Sequence, residues 1–218
     1  MNAGRYERAI AAYREFLEVE PENSQAFCYL GDCYEQMDRL DEALVAFKRV
    51  IEIDNTDPEG WFGAGMIYHR MARYREAITY ILKAIEFDQG NMDYWINLGY
   101  VNEDAGLIDE ALKCYGYVTR MDAADLDGWN ALTSLLMKEA LYVKALNSLR
   151  EAYAHHPSEA SVKMKISICH LKMEEKYLAR KFMKEALEAD KDVLSEFRYF
   201  FPEGTCSNDI EQIIRKHT

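Results

Sequence analysis

The side chains best suited to metal chemistry are two adjacent histidines, His155 and His156, which stand directly before Pro157. A metal site needs several ligands converging on one point, but neighbouring residues on a helix point in different directions. No set of Cys and His residues in the chain has the spacing of metal ligands. The pair is placed near a predicted helix C-terminus, where partial positive charge is favourable. The sequence therefore predicts no metal site.

Two further patterns suggest catalysis or cofactor binding. Gly63-Ala64-Gly65 is a fragment of a dinucleotide-binding loop, but Tyr68 stands in place of the third glycine and no strand precedes it. His69 and Glu103 would suit an acid–base pair if the fold brought them together, although an ordinary hydrogen bond is the more common role for such a histidine. No nucleophile, base and orienting group can be assembled from the rest. We expect neither an enzyme nor a cofactor.

Charge is unevenly distributed along the chain. Residues 1–127 hold 12 Lys and Arg against 25 Asp and Glu, whereas residues 128–218 hold 14 against 13. An acidic first half repels phosphate backbones, which argues against nucleic acid as a partner. A basic or mixed-charge protein segment is the better match, although acidic excess can also serve solubility alone.

Neither a disulfide framework nor a membrane segment is predicted. The five cysteines (Cys28, Cys33, Cys114, Cys169 and Cys206) are odd in number and lack paired spacing, as in a reducing compartment. No apolar run approaches the length that a membrane span requires, and the opening MNAGRYERAIAAY has no apolar core of a signal peptide. We expect a cytoplasmic protein, with a lost upstream signal as the open alternative.

A single repeat period organises the whole chain. Alanine recurs at a constant spacing without insertion or deletion, at Ala9, Ala43, Ala77, Ala111, Ala145 and Ala179. Trp61, Trp95 and Trp129 keep the same step, as do Gly31, Gly65 and Gly99. Within one period, Trp61, Ala64, Gly65 and Tyr68 form one helical stripe, and a second stripe begins at Ala77. Each period therefore predicts two antiparallel helices, with small residues where the two backbones approach.

This pattern resembles the tetratricopeptide repeat family, which has the same period. The resemblance rests on Phe27-Cys28-Tyr29-Leu30-Gly31-Asp32-Cys33-Tyr34 with Ala43 and Phe47, and on Trp95-Ile96-Asn97-Leu98-Gly99 with Ala111 and Tyr115. It implies an all-α, right-handed α-solenoid of antiparallel helix pairs. We assign repeats to 24–57, 58–91, 92–125, 126–159 and, more divergent, 160–193.

The two ends depart from the repeat pattern. Residues 1–23 match only the second helix of a pair, so this segment is either a natural cap or the remnant of a longer array. Around a Pro202–Gly204 break, residues 194–218 carry large apolar side chains that include Phe197, Phe200, Phe201, Ile210, Ile213 and Ile214. We expect capping helices there, with a docking patch for a partner as the alternative.

The resemblance implies that the first helix of each pair lines a concave groove. A peptide- or protein-binding groove would then involve Tyr29, Asp32, Glu35, Phe62, Met66, His69, Ile96, Asn97, Tyr100, Glu103, Asn130, Ser134 and Met137. Met164, Lys165 and Ile168 hold the same places in the last repeat, and Gly63 leaves a gap that a ligand side chain could enter. Aromatic stripes of this kind also pack on neighbouring repeats.

Some members of the family grip the C-terminal carboxylate of chaperones with a clamp of Lys, Arg and Asn. Here Asn97 fits the clamp, but Phe62, Met66, Asp127 and Ala131 stand where cations and amides are needed. That partner is therefore excluded. The sequence predicts a non-catalytic scaffold or adaptor that binds a protein segment. The alternatives are a substrate-recruiting region of a larger enzyme or regulator, and a secretion or assembly chaperone.

Overall fold

The computed structural model describes residues 3–217, and all regular structure in that range is helical. Thirteen helices follow one another: α1 (Ala3–Val19), α2 (Ser24–Gln36), α3 (Leu40–Ile53), α4 (Pro58–Arg70), α5 (Tyr74–Phe87), α6 (Met92–Asp104), α7 (Ile108–Met121), α8 (Leu126–Lys138), α9 (Tyr142–His155), α10 (Ala160–Lys172), α11 (Lys176–Ala189), α12 (Leu194–Phe200) and α13 (Asn208–His217).

The helix boundaries repeat the sequence period. The first helix of each pair begins one full period after the previous one and is 13 residues long, from α2 to α10. The second helix of each pair is 14 residues long. Leu194, which begins α12, continues the same step beyond Ala160, so the C-terminal segment keeps the register although its residues no longer match.

Two compact units divide the chain, at Cys114 and Tyr115 within α7. In the N-terminal unit, successive helices from α1 to α6 pack on one another, and α2 also contacts α4. In the C-terminal unit, α10 packs on α8, α9, α11 and α12, while α13 packs on α11. Phe197, Ile210 and Ile214 of the last two helices are buried, and this burial favours a capping role over an exposed docking patch.

The turn inside each pair has the same backbone geometry. One residue in each turn adopts a positive φ, and these residues are again one period apart: Asp38, Ala72, Gly106, Ala140 and Glu174. The next residue then donates its N–H to a carbonyl five positions earlier, as in Arg39 to Tyr34 and Arg73 to Tyr68, both at 2.9 Å. This arrangement satisfies the last carbonyls of the helix and reverses the chain. Four of the five positions achieve it without glycine.

The three recurring tryptophans each form a hydrogen bond with the loop that precedes their own helix pair. Their indole N–H groups donate to a backbone carbonyl six residues earlier: Trp61 to Asn55 at 2.9 Å, Trp95 to Gln89 at 3.3 Å and Trp129 to Ala123 at 2.9 Å. A buried indole requires such a partner, and the loop carbonyl requires a donor. The Trp positions therefore stabilise the junction between repeats.

The small positions of the repeat are sterically required. Ala43, Ala77 and Ala145 are completely buried, and a Cβ on Gly65 would lie 2.8 Å from Ile81 Cγ1. A Cβ on Gly63 would lie only 2.4 Å from the Phe47 ring. The expectation that Gly63 leaves a gap for a ligand is therefore wrong, because Phe47 of the preceding repeat already fills that space.

Candidate functional site

The first helices of the N-terminal unit are linked side by side near their C-terminal ends. Arg70 on α4 donates to the backbone oxygen of Glu35 at 2.8 Å and pairs with Asp38 Oδ1 at 2.7 Å. His69 Nε2 lies 2.7 Å from Asp104 Oδ2 on α6. These contacts join α2, α4 and α6 into one surface.

The His69 contact differs from the sequence expectation. The partner is Asp104 rather than Glu103, because the aspartate at the end of α6 is the residue that reaches the imidazole. The Asp104 side chain is more than half exposed, so this is a surface contact between neighbouring helices. It links the C-terminal ends of α4 and α6.

Two aromatic pairs support this surface from below. The rings of Tyr13 and Tyr29 stack with centroids 5.6 Å apart, and those of Phe62 and Tyr94 lie 4.6 Å apart. Tyr94 is buried, so Phe62 rests on the core with its remaining face partly exposed. Tyr29 and Tyr100 remain 47% and 43% exposed.

Most of the predicted groove residues are accessible to solvent. The exposed or half-exposed ones are Tyr29, Asp32, Glu35, Phe62, Met66, His69, Asn97, Tyr100, Glu103, Asn130 and Ser134. Ile96 and Met137 are buried, at 7% and 1% exposure. These two side chains belong to the core, and we remove them from the candidate surface because a bound segment cannot reach them.

The N-terminal part of this surface is acidic. Partial burial raises the pKa of the Asp32 carboxyl above its ordinary value, and the negative charges of Glu35 and Glu59 raise it further. Because like charges destabilise one another here, an incoming cation would relieve the repulsion. The electrostatics therefore favour a basic group near α2.

Two asparagines predicted to line the groove, one in each unit, already make hydrogen bonds within the protein. Asn97 Nδ2 donates to the Asp93 carbonyl at 2.8 Å, one turn earlier on α6. In the C-terminal unit, Asn130 Oδ1 accepts a hydrogen bond from Lys165 Nζ at 2.7 Å. Sequence reasoning missed the second contact, although both residues were placed on the same predicted face.

The predicted groove does not extend over α10. Met164, Lys165 and Ile168 are buried, so the expectation that they line the groove is wrong. Glu196 on α12 reaches Lys165, with 3.6 Å between Oε1 and Nζ. Burial lowers the pKa of Lys165 and raises that of Glu196, while each charge partly offsets the effect on the other. The signal available in the sequence was that the apolar residues of α10 are spread around the helix and not confined to one stripe.

Residues 3–217 contain neither a cluster of metal ligands nor a membrane-spanning helix. In this range no three His, Cys, Asp or Glu side chains are grouped closely enough to hold a metal ion. None of the helices described is long and apolar enough to cross a membrane. All five cysteines lie within the described range as unpaired thiols, and burial raises the pKa of Cys28 and of Cys169 to about 12.

Comparisons with known proteins agree with this helical pattern. Two tetratricopeptide repeat models match the sequence, one over residues 1–58 and the other over residues 58–91. No curated protein matches the sequence.

Among solved structures, YrrB is described as a tetratricopeptide repeat protein with an unusual peptide-binding site. It aligns with a TM-score of 0.64 at 19% identity, over 86% of this chain and 98% of its own. MamA aligns with a TM-score of 0.66 at 18% identity, over 86% and 100%. PilF of Pseudomonas aeruginosa gives 0.63 at 14%, over 89% and 88%. At these identities the likeness concerns the fold. The two family matches identify tetratricopeptide repeats within residues 1–91, and helix pairs of the same period recur through the rest of the described chain.

Proposed function

We propose that the chain is a non-catalytic scaffold that binds a protein segment across α2, α4 and α6. The observation that carries the proposal is the pair of exposed tyrosines, Tyr29 and Tyr100, on first helices that flank the half-exposed Phe62. Aromatic side chains held on rigid helices are effective anchors because they lose little conformational entropy on binding. The peptide-binding description of YrrB is consistent with this use of the fold.

The partner is a segment with apolar anchors and basic or mixed charge. Apolar side chains would pack against Phe62 and Met66, which are both half-exposed. A Lys or Arg of the segment would face Asp32 and Glu35, where burial first and the charges of Glu35 and Glu59 next raise the pKa of Asp32. Such a partner binds more weakly as salt is raised.

The test is capture by paired variants of the full chain. Tyr29→Ala combined with Tyr100→Ala should reduce partner capture from native lysate at least tenfold, as quantified by mass spectrometry. Tyr177→Ala is the matched control, because Tyr177 is 80% exposed but lies on α11, a second helix of its pair. Phe62→Ala is less suitable, since its packing on Tyr94 means that it would also lower stability.

Two measurements separate recognition from folding. Thermal unfolding of each single variant should separate the two effects, because Tyr29→Ala also loses the stacking on Tyr13 and should lower the melting temperature, whereas the Tyr177→Ala control should not. Asp32→Asn with Glu35→Gln should reduce the salt dependence of capture. Equal capture by the double variant and the Tyr177→Ala control would contradict the groove assignment.

A further inference from the structure

A second recessed surface lies in the N-terminal unit, apart from the groove. It is a cleft of about 580 Å³ whose wall includes Arg14 of α1, Phe27 and Tyr34 of α2, and Ala46 of α3. Ligand pockets commonly have volumes of about 300–1,000 Å³. The cleft is therefore large enough to receive a side chain from another molecule.

The cleft and the proposed groove use opposite faces of α2. A helix turns about 100° per residue, so Phe27, Leu30 and Tyr34 lie on one side. Tyr29, Asp32 and Glu35 lie on the other side. A ligand in the cleft would leave the groove residues of α2 free.

The next repeat shows what fits into a cleft of this kind. One period further on, Lys48 stands in place of Arg14, Trp61 in place of Phe27, and Tyr68 in place of Tyr34. The position of Ala46 is taken there by Tyr80. The Tyr80 ring packs against two of these walls, with centroids 5.2 Å from Trp61 and 5.0 Å from Tyr68.

The polar margins of the two places also correspond. The Arg39 guanidinium lies 4.7 Å from the centroid of Tyr34 and pairs with Glu42 at 2.6 Å. In the next repeat, Arg73 lies 4.5 Å from the centroid of Tyr68 and pairs with Glu76 at 2.7 Å. The side chains around the two places therefore correspond, whereas the Tyr80 ring that fills the second place has only Ala46 as its counterpart in the first.

One lining residue is larger in the first cleft than in the second place. The first cleft has Leu30 where the second has Ala64, and a volume of about 580 Å³ remains open beside Leu30. Charged side chains border the first cleft, with Arg14, Lys48 and Arg49 set against Asp41, Glu42 and Glu52, and Lys48 also lies over the Tyr68 ring of the second place. In the second place burial and the neighbouring Tyr68 raise the pKa of the Tyr80 phenol.

We propose that the Ala46 cleft binds a tyrosine side chain of a partner protein, in the place that Tyr80 fills in the next repeat. Phe27 and Tyr34 supply aromatic walls for the ring, as Trp61 and Tyr68 do for Tyr80. Arg14, Lys48 and Arg49 supply positive charge at the margin of the cleft, which favours an aromatic ring with a hydroxyl group. This site does not depend on the proposed groove, so either can fail without the other.

The experiment uses p-cresol, the isolated tyrosine side chain, as probe and the full chain as protein. Wild type should bind one equivalent, detected by NMR shifts confined to the cleft. Ala46→Tyr should abolish binding and raise the melting temperature, because the new ring occupies the cleft. Tyr80→Ala should bind two equivalents and regain part of its lost melting temperature with p-cresol, since it opens a second cleft.

A further control and a library selection complete the test. Toluene, which lacks the hydroxyl, should bind at least threefold more weakly than p-cresol. Peptides selected from a displayed random library on wild type, and depleted on Ala46→Tyr, should carry Tyr at one enriched position. The proposal is overturned if wild type binds no p-cresol, if Ala46→Tyr binds it equally well, if toluene binds as tightly, or if the selected position is aliphatic.

Discussion

Helices α4 and α10 hold the same place in two repeats that lie three periods apart, yet the equivalent faces of the two helices differ in solvent exposure. Phe62, Met66 and His69 of α4 are half-exposed. At the same positions of α10, Met164 and Ile168 are completely buried, whereas Leu171 is half-exposed like its counterpart His69. Helix α12 packs on α10, whereas α4 presents its face to solvent between the anchors on α2 and α6.

The difference shows that the repeat position of a residue does not by itself make it part of a binding surface. The chain that follows decides whether a first helix stays open. In the C-terminal unit the helix that packs on α10 is α12, which has seven residues and lies one period further along the chain. Substitutions in the two regions test the contrast between an open α4 and a covered α10.

The largest effect is expected when the cover of α10 is removed. Phe197 is completely buried and stacks on Phe201 at 5.1 Å, so Phe197→Ala should lower the free energy of unfolding by about 4 kcal/mol. Cys169, buried on α10, should then react faster with a thiol reagent. Tyr199→Ala on the same helix is the control, because its side chain is 68% exposed. Urea unfolding and the rate of thiol labelling measure these effects. Equal results for Phe197→Ala and Tyr199→Ala would contradict the idea that α12 covers α10.

The second-largest loss of stability is expected when the Lys165–Glu196 pair is broken. Lys165→Met leaves a largely buried carboxylate without its cation and should cost about 2 kcal/mol, less than a fully buried pair because Glu196 retains some exposure. Adding Glu196→Gln should restore at least half of the loss. Denaturant unfolding of the two single variants and the double variant measures this, and an additive double variant would contradict the pairing.

The same pair predicts a pH dependence with a defined sign. Burial raises the pKa of Glu196 in the folded state, so the folded protein binds that proton more tightly than the unfolded chain does. The resulting stability is fully present below the ordinary carboxyl pKa and is lost as the pH rises through the raised value. Lys165→Met should show a steeper loss than Lys165→Met with Glu196→Gln, in unfolding measured from pH 4 to 8. Parallel curves would rule this out.

Removing the side chain at the helix N-cap should cost about 1 kcal/mol more of unfolding free energy before α4 than before α10. Asp57 caps α4 by accepting from the N–H of Glu59 at 2.9 Å, whereas Glu159, at the equivalent place before α10, makes no such bond. Asp57→Ala should therefore cost about 1 kcal/mol and Glu159→Ala close to nothing. Thermal unfolding compares the two, and equal losses would mean that the caps do not distinguish these helices.

The smallest effect is expected to be the same in both regions. Ala72 after α4 and Glu174 after α10 both have positive φ, at 56° and 63°. Replacing either by glycine relieves steric strain but adds freedom to the unfolded chain, for a net gain of about 0.5 kcal/mol. Gly106→Ala should cost about 1 kcal/mol. A loss of stability in Ala72→Gly would show that the turn carries no strain.

Local features of the structure could be predicted from the sequence because they depend on near neighbours. The spacing of Trp61 and Trp95 locates the helix pairs, and the small residues at Gly65 and Ala77 mark the close approach of two backbones. The candidate surface could be predicted only in part. The engagement of Asn130 by Lys165, and the filling of the Gly63 gap by Phe47, depend on side-chain directions that spacing does not specify.

The sequence by itself determined the repeat period, the helical fold and the set of faces available to a ligand, because each rests on contacts within one period or with the next. Only the tertiary structure decided which of those faces remains open. It showed α10 covered by α12 and the Ala46 cleft left empty beside an equivalent place filled by Tyr80. Both outcomes depend on whether a large side chain arrives from another helix, and burial of that side chain is a property of packing rather than of local sequence.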